Sequence, residues 1–151
     1  HCQLKPDWVL SGVNHGGNMG TDIIASGTCS AAREAVWLGV PGIALSQYRH
    51  PEVPLDWNIS AQRAWQVAKR IISGSLGHPK ASRGFWNVNL PAVNPEQELP
   101  EPQICEPEPQ NPIFEYRLDE TGCLVYRGSY QQRPRTALSD VDLCFQGYPV
   151  I

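Results

Sequence analysis

Residues Ser11 to Thr28, SGVNHGGNMGTDIIASGT, decide how this chain reads. A short apolar segment, Trp8-Val9-Leu10, precedes them, and a helix-like run from Ala31 to Leu38 follows. Between these lie Gly12, Gly16, Gly17, Gly20 and Gly27, with Asn14 and Asn18 four residues apart. Glycines let a backbone turn tightly and approach a ligand closely. Asparagine carbonyls and Ser/Thr hydroxyls coordinate hard cations or hydrogen-bond phosphate oxygens. Ligands of open α/β sheets bind beyond the carboxyl ends of the strands, and this loop leaves such an end. The run therefore reads as an anion-and-metal site. It is not a P-loop, because no Gly-Lys-Ser/Thr follows, and its glycine spacing does not match the dinucleotide fingerprint.

Outward from the loop, Ser26 to Leu38 reads as a helix that Ser26 or Thr28 caps and that Gly39 and Pro41 stop. Gly42 to Ser46 is a second apolar strand, completing a βαβ-type unit. Asn58 to Ser73 reads as a second helix, with Ala61, Ala64, Trp65, Ala68 and Ile71-Ile72 forming an apolar stripe. Phe85 to Leu90 is a third strand, closed by Pro91. Pro91 to Pro112 then holds half of the fourteen prolines and five glutamates without a lysine or arginine, and reads as an extended, solvated connector. Phe114–Leu118 and Leu124–Tyr130, separated by Asp119-Glu120-Thr121-Gly122-Cys123, read as a β-hairpin.

Length and composition bound the rest. At 151 residues, 41% hydrophobic and 18% charged, the chain suits one globular domain with a real core. A net charge of −3 without a basic run argues against nucleic acid as a partner. No apolar stretch reaches the roughly twenty residues of a membrane span. Five widely spaced cysteines without a Cys-x-x-Cys read as reduced thiols of a cytoplasmic protein, and His1 and Cys2 receive no role. The absence of G-x-S-x-G argues against an α/β hydrolase.

From Pro6 to Ser46 the sequence also resembles the signature region of the stationary-phase survival protein (SurE) family. It carries S-G-x-N-x-G-x-N-x-G, S-G-T, A-A-x-E-A and G-x-P-x-I-A-x-S in order. Weaker echoes lie at Asn87-Val88-Asn89-Leu90-Pro91, at Ser139-Asp140-Val141-Asp142 and at Gly147-Tyr148. The resemblance implies a metal-dependent nucleoside monophosphate phosphatase using Mg²⁺ or Mn²⁺. It also implies a homo-oligomer, dimer or tetramer, in which a C-terminal extension reaches a neighbouring subunit. The fold expected is α/β, a Rossmann-like three-layer core with its first strands missing, at residues 1–91. A proline-rich connector follows at 92–112, then a hairpin extension and C-terminal segment at 113–151. Members of the family open on an Asp-Asp-Gly strand whose aspartates hold the metal, with a further serine ligand also upstream of the region seen here. Neither lies after His1, so the chain reads as an internal fragment whose catalytic aspartates are expected upstream, and activity is expected of the longer parent.

Under the resemblance Asn14 is the metal ligand; on the local sequence alone its amide would hold the turn. Asn18, Ser26, Gly27 and Thr28 form the phosphate-binding set, with the helix dipole favouring an anion there and capping as the structural alternative. His15 reads as solvent-facing, with proton donation as its alternative. Asp22 reads as support of the loop. Trp57, Trp65 and Trp86 read as core, with base stacking as their alternative. A non-catalytic nucleotide- or phosphate-binding oligomerisation fragment is the competing function.

Overall fold

The computed structural model describes residues 6–77 and 84–151; His1 and Cys2 lie outside them. Strand β1 spans Val9–His15, a short helix α1 Asp22–Ala25, helix α2 Gly27–Trp37 and strand β2 Gly42–Gln47. Helix α3 covers Trp57–Ile72 and strand β3 Trp86–Leu90. The strands form a parallel sheet in the order β1-β2-β3. The βαβ reading holds, except that β1 runs five residues beyond Leu10 and carries Asn14 within the strand. The short α1 inside the glycine-rich run was not expected.

The ends of the helices follow from capping. Ser26 Oγ accepts from the Cys29 N–H at 3.1 Å, and Asp56 Oδ1 accepts from Asn58 and Ile59 N–H at 2.8 and 3.2 Å. Lys69 and Arg70 fall in the last turn of α3, where cations suit the dipole. Ser60, Ala64, Val67, Ala68 and Ile71 form its buried face. Burying a side chain such as Val67 or Ile71 stabilises the fold by about 1.5–3 kcal/mol.

All of β2 is buried, and alternation divides its neighbours. Ile43 and Leu45 pack with Val88, Leu90 and the α3 face, whereas Ala44 packs with Cys29 and Ala32 of α2. The α2 backbone comes so close that a Cβ on Gly42 would lie 2.3 Å from the Ala32 carbonyl oxygen. The two helices thus cover opposite faces and give the three-layer, Rossmann-like arrangement. With the strands in sequential order, opposite faces also mean that the two crossovers have opposite hands, against the strong right-handed preference.

The proline-rich segment is extended but is not a free connector. Arg63 donates to the carbonyls of Asn94, Pro95 and Gln97. Gln103 and Cys105 bond to Pro149 and Ile151 through their backbones, and Glu108 is buried. Strands β4 (Tyr116–Leu118) and β5 (Leu124–Tyr126) make the expected hairpin, shorter than the sequence indicated. Its Tyr116, Leu118, Leu124 and Tyr126 are exposed, so the hairpin does not pack on its own core. Helix α4, Asp140–Phe145, follows, and Val150 then bridges antiparallel to Asn89 at the edge of β3.

Candidate functional site

Between Gly12 and Asn14 the register of β1 against β2 slips, so that Asn14 rather than Val13 stands opposite Ser46. Gly12 permits the slip. It holds φ +118°, and a Cβ there would lie 2.1 Å from the Leu45 carbonyl oxygen. A one-residue slip turns a strand's side chains to the other face. Asn14 therefore joins Ser46 and Asn89 on the α2 face, while His15, opposite Gln47, lies on the α3 face.

These side chains form a closed cluster. Ser46 Oγ, fully buried, donates to Asn14 Oδ1 at 2.9 Å and accepts from Asn18 Nδ2 at 2.7 Å. Asn18 Nδ2 also donates to Asn14 Oδ1 at 3.1 Å, and Asn14 Nδ2 donates to the Gly16 carbonyl at 2.9 Å. Asn89 Oδ1 accepts from the Asn18 N–H at 2.7 Å. The amides of Asn87 and Asn89 both donate to the Asn18 carbonyl, at 2.9 and 3.1 Å. Cys29 in the first turn of α2 donates to Asn87 Oδ1 at 3.3 Å, linking the helix start to the cluster. Burial raises the Cys29 pKa, which keeps the sulfur a neutral thiol donor.

The sequence brought Asn14 and Asn18 forward, and the structure joins them directly. Both amide hydrogens of Asn18 are engaged by Asn14 and Ser46, so in this arrangement Asn18 fixes Asn14. Ser26, Gly27 and Thr28 stand at the N-terminus of α2, where among the described residues the Gly27 and Thr28 N–H groups have no partner. Ser26 is buried and its hydroxyl caps the helix, whereas Gly27 is exposed. Ser46, Asn87 and Asn89 went unassigned in the sequence, although polar Asn87 and Asn89 alternating with apolar Val88 and Leu90 marked one face of β3 as special.

A second set of contacts pins the loop from below. Gly20 N–H donates to Asp140 Oδ2 at 2.8 Å, and Glu108 N–H donates to Asp140 Oδ1 at 2.8 Å. Burial pushes the Asp140 carboxyl up, and the three backbone N–H groups that bond it oppose that rise. Asp22 accepts from Tyr130 Oη and from Arg133 Nη1, both at 2.8 Å, which is the loop-supporting role the sequence assigned it. The Arg133 guanidinium also lies 4.9 Å from the Tyr130 ring centroid.

The loop after β1 turns towards α2 and the loop after β2 towards α3, which makes the carboxyl ends of these two strands a topological switch point. In open α/β sheets ligands bind in the crevice at such a switch point. Asn14 and Ser46 lie at that end of the sheet on the α2 face, and His15 lies there on the α3 face. The donor chemistry suits a hard cation in part: Asn14 Oδ1 is a neutral oxygen of the right kind. Among the described residues, however, no cluster of three or more His, Cys, Asp or Glu could hold a metal ion. Trp86 packs against the core as expected, but Trp57 and Trp65 do not: they are 45% and 51% exposed.

A parallel sheet between two helical layers, with an amide cluster at its strand ends, defines an α/β protein of the three-layer, Rossmann-like class. The family profile "Survival protein SurE" matches residues 1–111, and the chain belongs to the SurE family. It is 41% identical over 147 residues to the Nostoc sp. protein named "Putative 5'-nucleotidase alr3139", covering 96% of this chain and 63% of that one. It is 38% identical over 142 residues to the 5'-nucleotidase SurE of Rhizorhabdus wittichii, covering 91% of this chain and 55% of that one. The crystal structure of the SurE protein from Aquifex aeolicus superimposes with a TM-score of 0.70 at 28% identity, over 98% of this chain and 58% of that one. The chain thus spans about three fifths of the length of these relatives. Among the described residues no helix is long and apolar enough to cross a membrane.

Proposed function

We propose that this chain is the crevice-bearing part of a metal-dependent phosphomonoesterase acting on nucleoside monophosphates. The observation that carries the reading is the Asn14–Asn18–Ser46 cluster at the sheet's switch point, in a chain 41% identical to a protein named as a nucleotidase. The substrate phosphate sits against the free N–H groups of Gly27 and Thr28, with the Thr28 hydroxyl and the dipole of α2 adding to its hold. Ser26 keeps its capping bond and shapes that turn. Asn18 joins the phosphate contacts by exchanging one of its two amide bonds. Asn14 Oδ1 offers one neutral oxygen to Mg²⁺ or Mn²⁺, and such an ion supplies charge stabilisation to the phosphoryl group. Carboxylates to complete the shell are not grouped around Asn14 in the described residues.

Two further features belong to this reading. The exposed Tyr116, Leu118, Leu124 and Tyr126 of the hairpin support a homo-oligomer, dimer or tetramer, in which the hairpin packs on a neighbouring copy. The free thiols of Cys29, Cys105, Cys123 and Cys144 support a cytoplasmic protein. The test is hydrolysis of nucleoside monophosphates by the purified full-length protein at limiting Mg²⁺ or Mn²⁺, with Asn14→Ala beside it. The variant should need more metal and turn over more slowly while its melting curve is kept. Undiminished turnover would sink the role of Asn14, and nucleotide binding without hydrolysis in the unaltered protein would favour a non-catalytic binding fragment.

A further inference from the structure

Trp57 is the first residue of α3, and α3 starts where the loop after β2 leaves the carboxyl end of the sheet. It therefore lies at the same end of the sheet as Asn14 and Ser46, on the α3 side. Its indole is 45% exposed, against the usual preference for burying so large an apolar surface. Nor is the indole needed to start the helix, because Asp56 already caps α3 by accepting from Asn58 and Ile59. The ring that approaches it is His15, at 6.4 Å between centroids and a 48° tilt. His15 is the residue after Asn14, and strand alternation puts these neighbours on opposite faces of the sheet. A ligand with its phosphate at the α2 N-terminus would thus extend over Asn14 towards the indole and imidazole.

We propose that Trp57, flanked by His15, is the platform on which the base of the nucleotide stacks, so that the crevice prefers a phosphomonoester carrying a flat aromatic group to one without it. This rests on the phosphomonoesterase reading above and adds where the base lies. Stacking tolerates any base, because every base has a π-face, so the platform gives a preference for nucleotides over sugar phosphates without choosing among bases.

The experiment measures adenosine 5'-monophosphate and ribose 5-phosphate side by side, by KM and by tryptophan emission, in the full-length protein, unaltered and as Trp57→Ala and Trp57→Phe. Loss of a base-stacking side chain weakens binding by about 5- to 140-fold. Trp57→Ala should therefore weaken adenosine 5'-monophosphate within that range and leave ribose 5-phosphate within about twofold. Trp57→Phe should restore most of the difference, and the nucleotide should quench emission in the unaltered protein more than in Trp57→Phe. Equal weakening of both ligands would overturn the platform, since the indole would then only shape the wall. No change in either ligand would overturn it too. If the unaltered protein handles ribose 5-phosphate as well as the nucleotide, the platform falls while the phosphomonoesterase reading stands. If it handles neither, that reading fails and the platform fails with it.

Discussion

Replacing Glu108 with glutamine should loosen the site from a position in the proline-rich segment. The Glu108 carboxylate is 1% exposed and meets only donors. Oε1 accepts from the Gln110 N–H at 3.0 Å and Thr136 Oγ at 2.9 Å; Oε2 accepts from the Thr136 N–H at 2.5 Å and Ser139 Oγ at 2.7 Å. Burial pushes this carboxyl up, but the four bonds outweigh burial and hold it at about 2. In Glu108→Gln one oxygen becomes an NH₂ that faces two donors. A hydroxyl can rotate to accept from it, but a backbone N–H cannot. Bonds to a charged group contribute about 1.5–3 kcal/mol each. With two lost and one partly recovered, the variant should be about 2–4 kcal/mol less stable at pH 7. Urea unfolding monitored by tryptophan emission measures this. The sign of the pH effect follows from the lowered pKa. The stabilisation is fully present above the ordinary value of 4.5 and is lost as pH falls from there through about 2. Acid unfolding of the parent should therefore steepen in that window, and Glu108→Gln should flatten it. A loss below 1 kcal/mol with an unchanged acid profile would refute the reasoning.

Thr28→Val keeps the shape of the α2 N-terminus and removes one hydroxyl. The inhibition constant of inorganic phosphate should rise roughly tenfold or more with little change in metal requirement, and equal constants would remove Thr28 from the phosphate set. Ser46→Ala takes away the donor to Asn14 and the acceptor for Asn18. It should cost about 1–2 kcal/mol in urea unfolding and lower turnover by freeing both amides. Full activity with a normal unfolding midpoint would show that the cluster does not position Asn14.

What was legible in the sequence was local. The capped start of α2 and the turns around Asn14 and Asn18 each follow from a few adjacent residues, so their spacing sufficed. Ser46 was hidden because a serine closing an apolar strand looks like a strand end, and its value comes from facing Asn14. The slip at Gly12 was also invisible: periodicity places Asn14 on the face of Leu10, and only the contact with Leu45 reveals that it turns over. The proline-rich segment was misjudged for a related reason. Its composition forbids helix and central strand, yet an extended chain can still be held through its backbone, as at Gln103, Cys105 and Glu108. Trp65 fell in the expected apolar stripe and Trp57 just before it, and such large apolar side chains read as core, though the buried stripe of α3 runs along Ala64, Val67, Ala68 and Ile71.

The bond from Gly20 to Asp140 spans 120 residues of sequence. A ribosome adding about 5–20 residues per second needs about 6 to 24 s between those two positions. Through that interval the glycine-rich loop is out of the ribosome with its partner unmade, and Asn89 waits about half as long for Val150. Local order in α2 can form early, but the crevice closes only after a long loop has been brought together, a step that slows folding. A pause in translation between β3 and α4 would prolong the time in which half the site stands open, and a substitution at Asp140 would remove one of the bonds that close it.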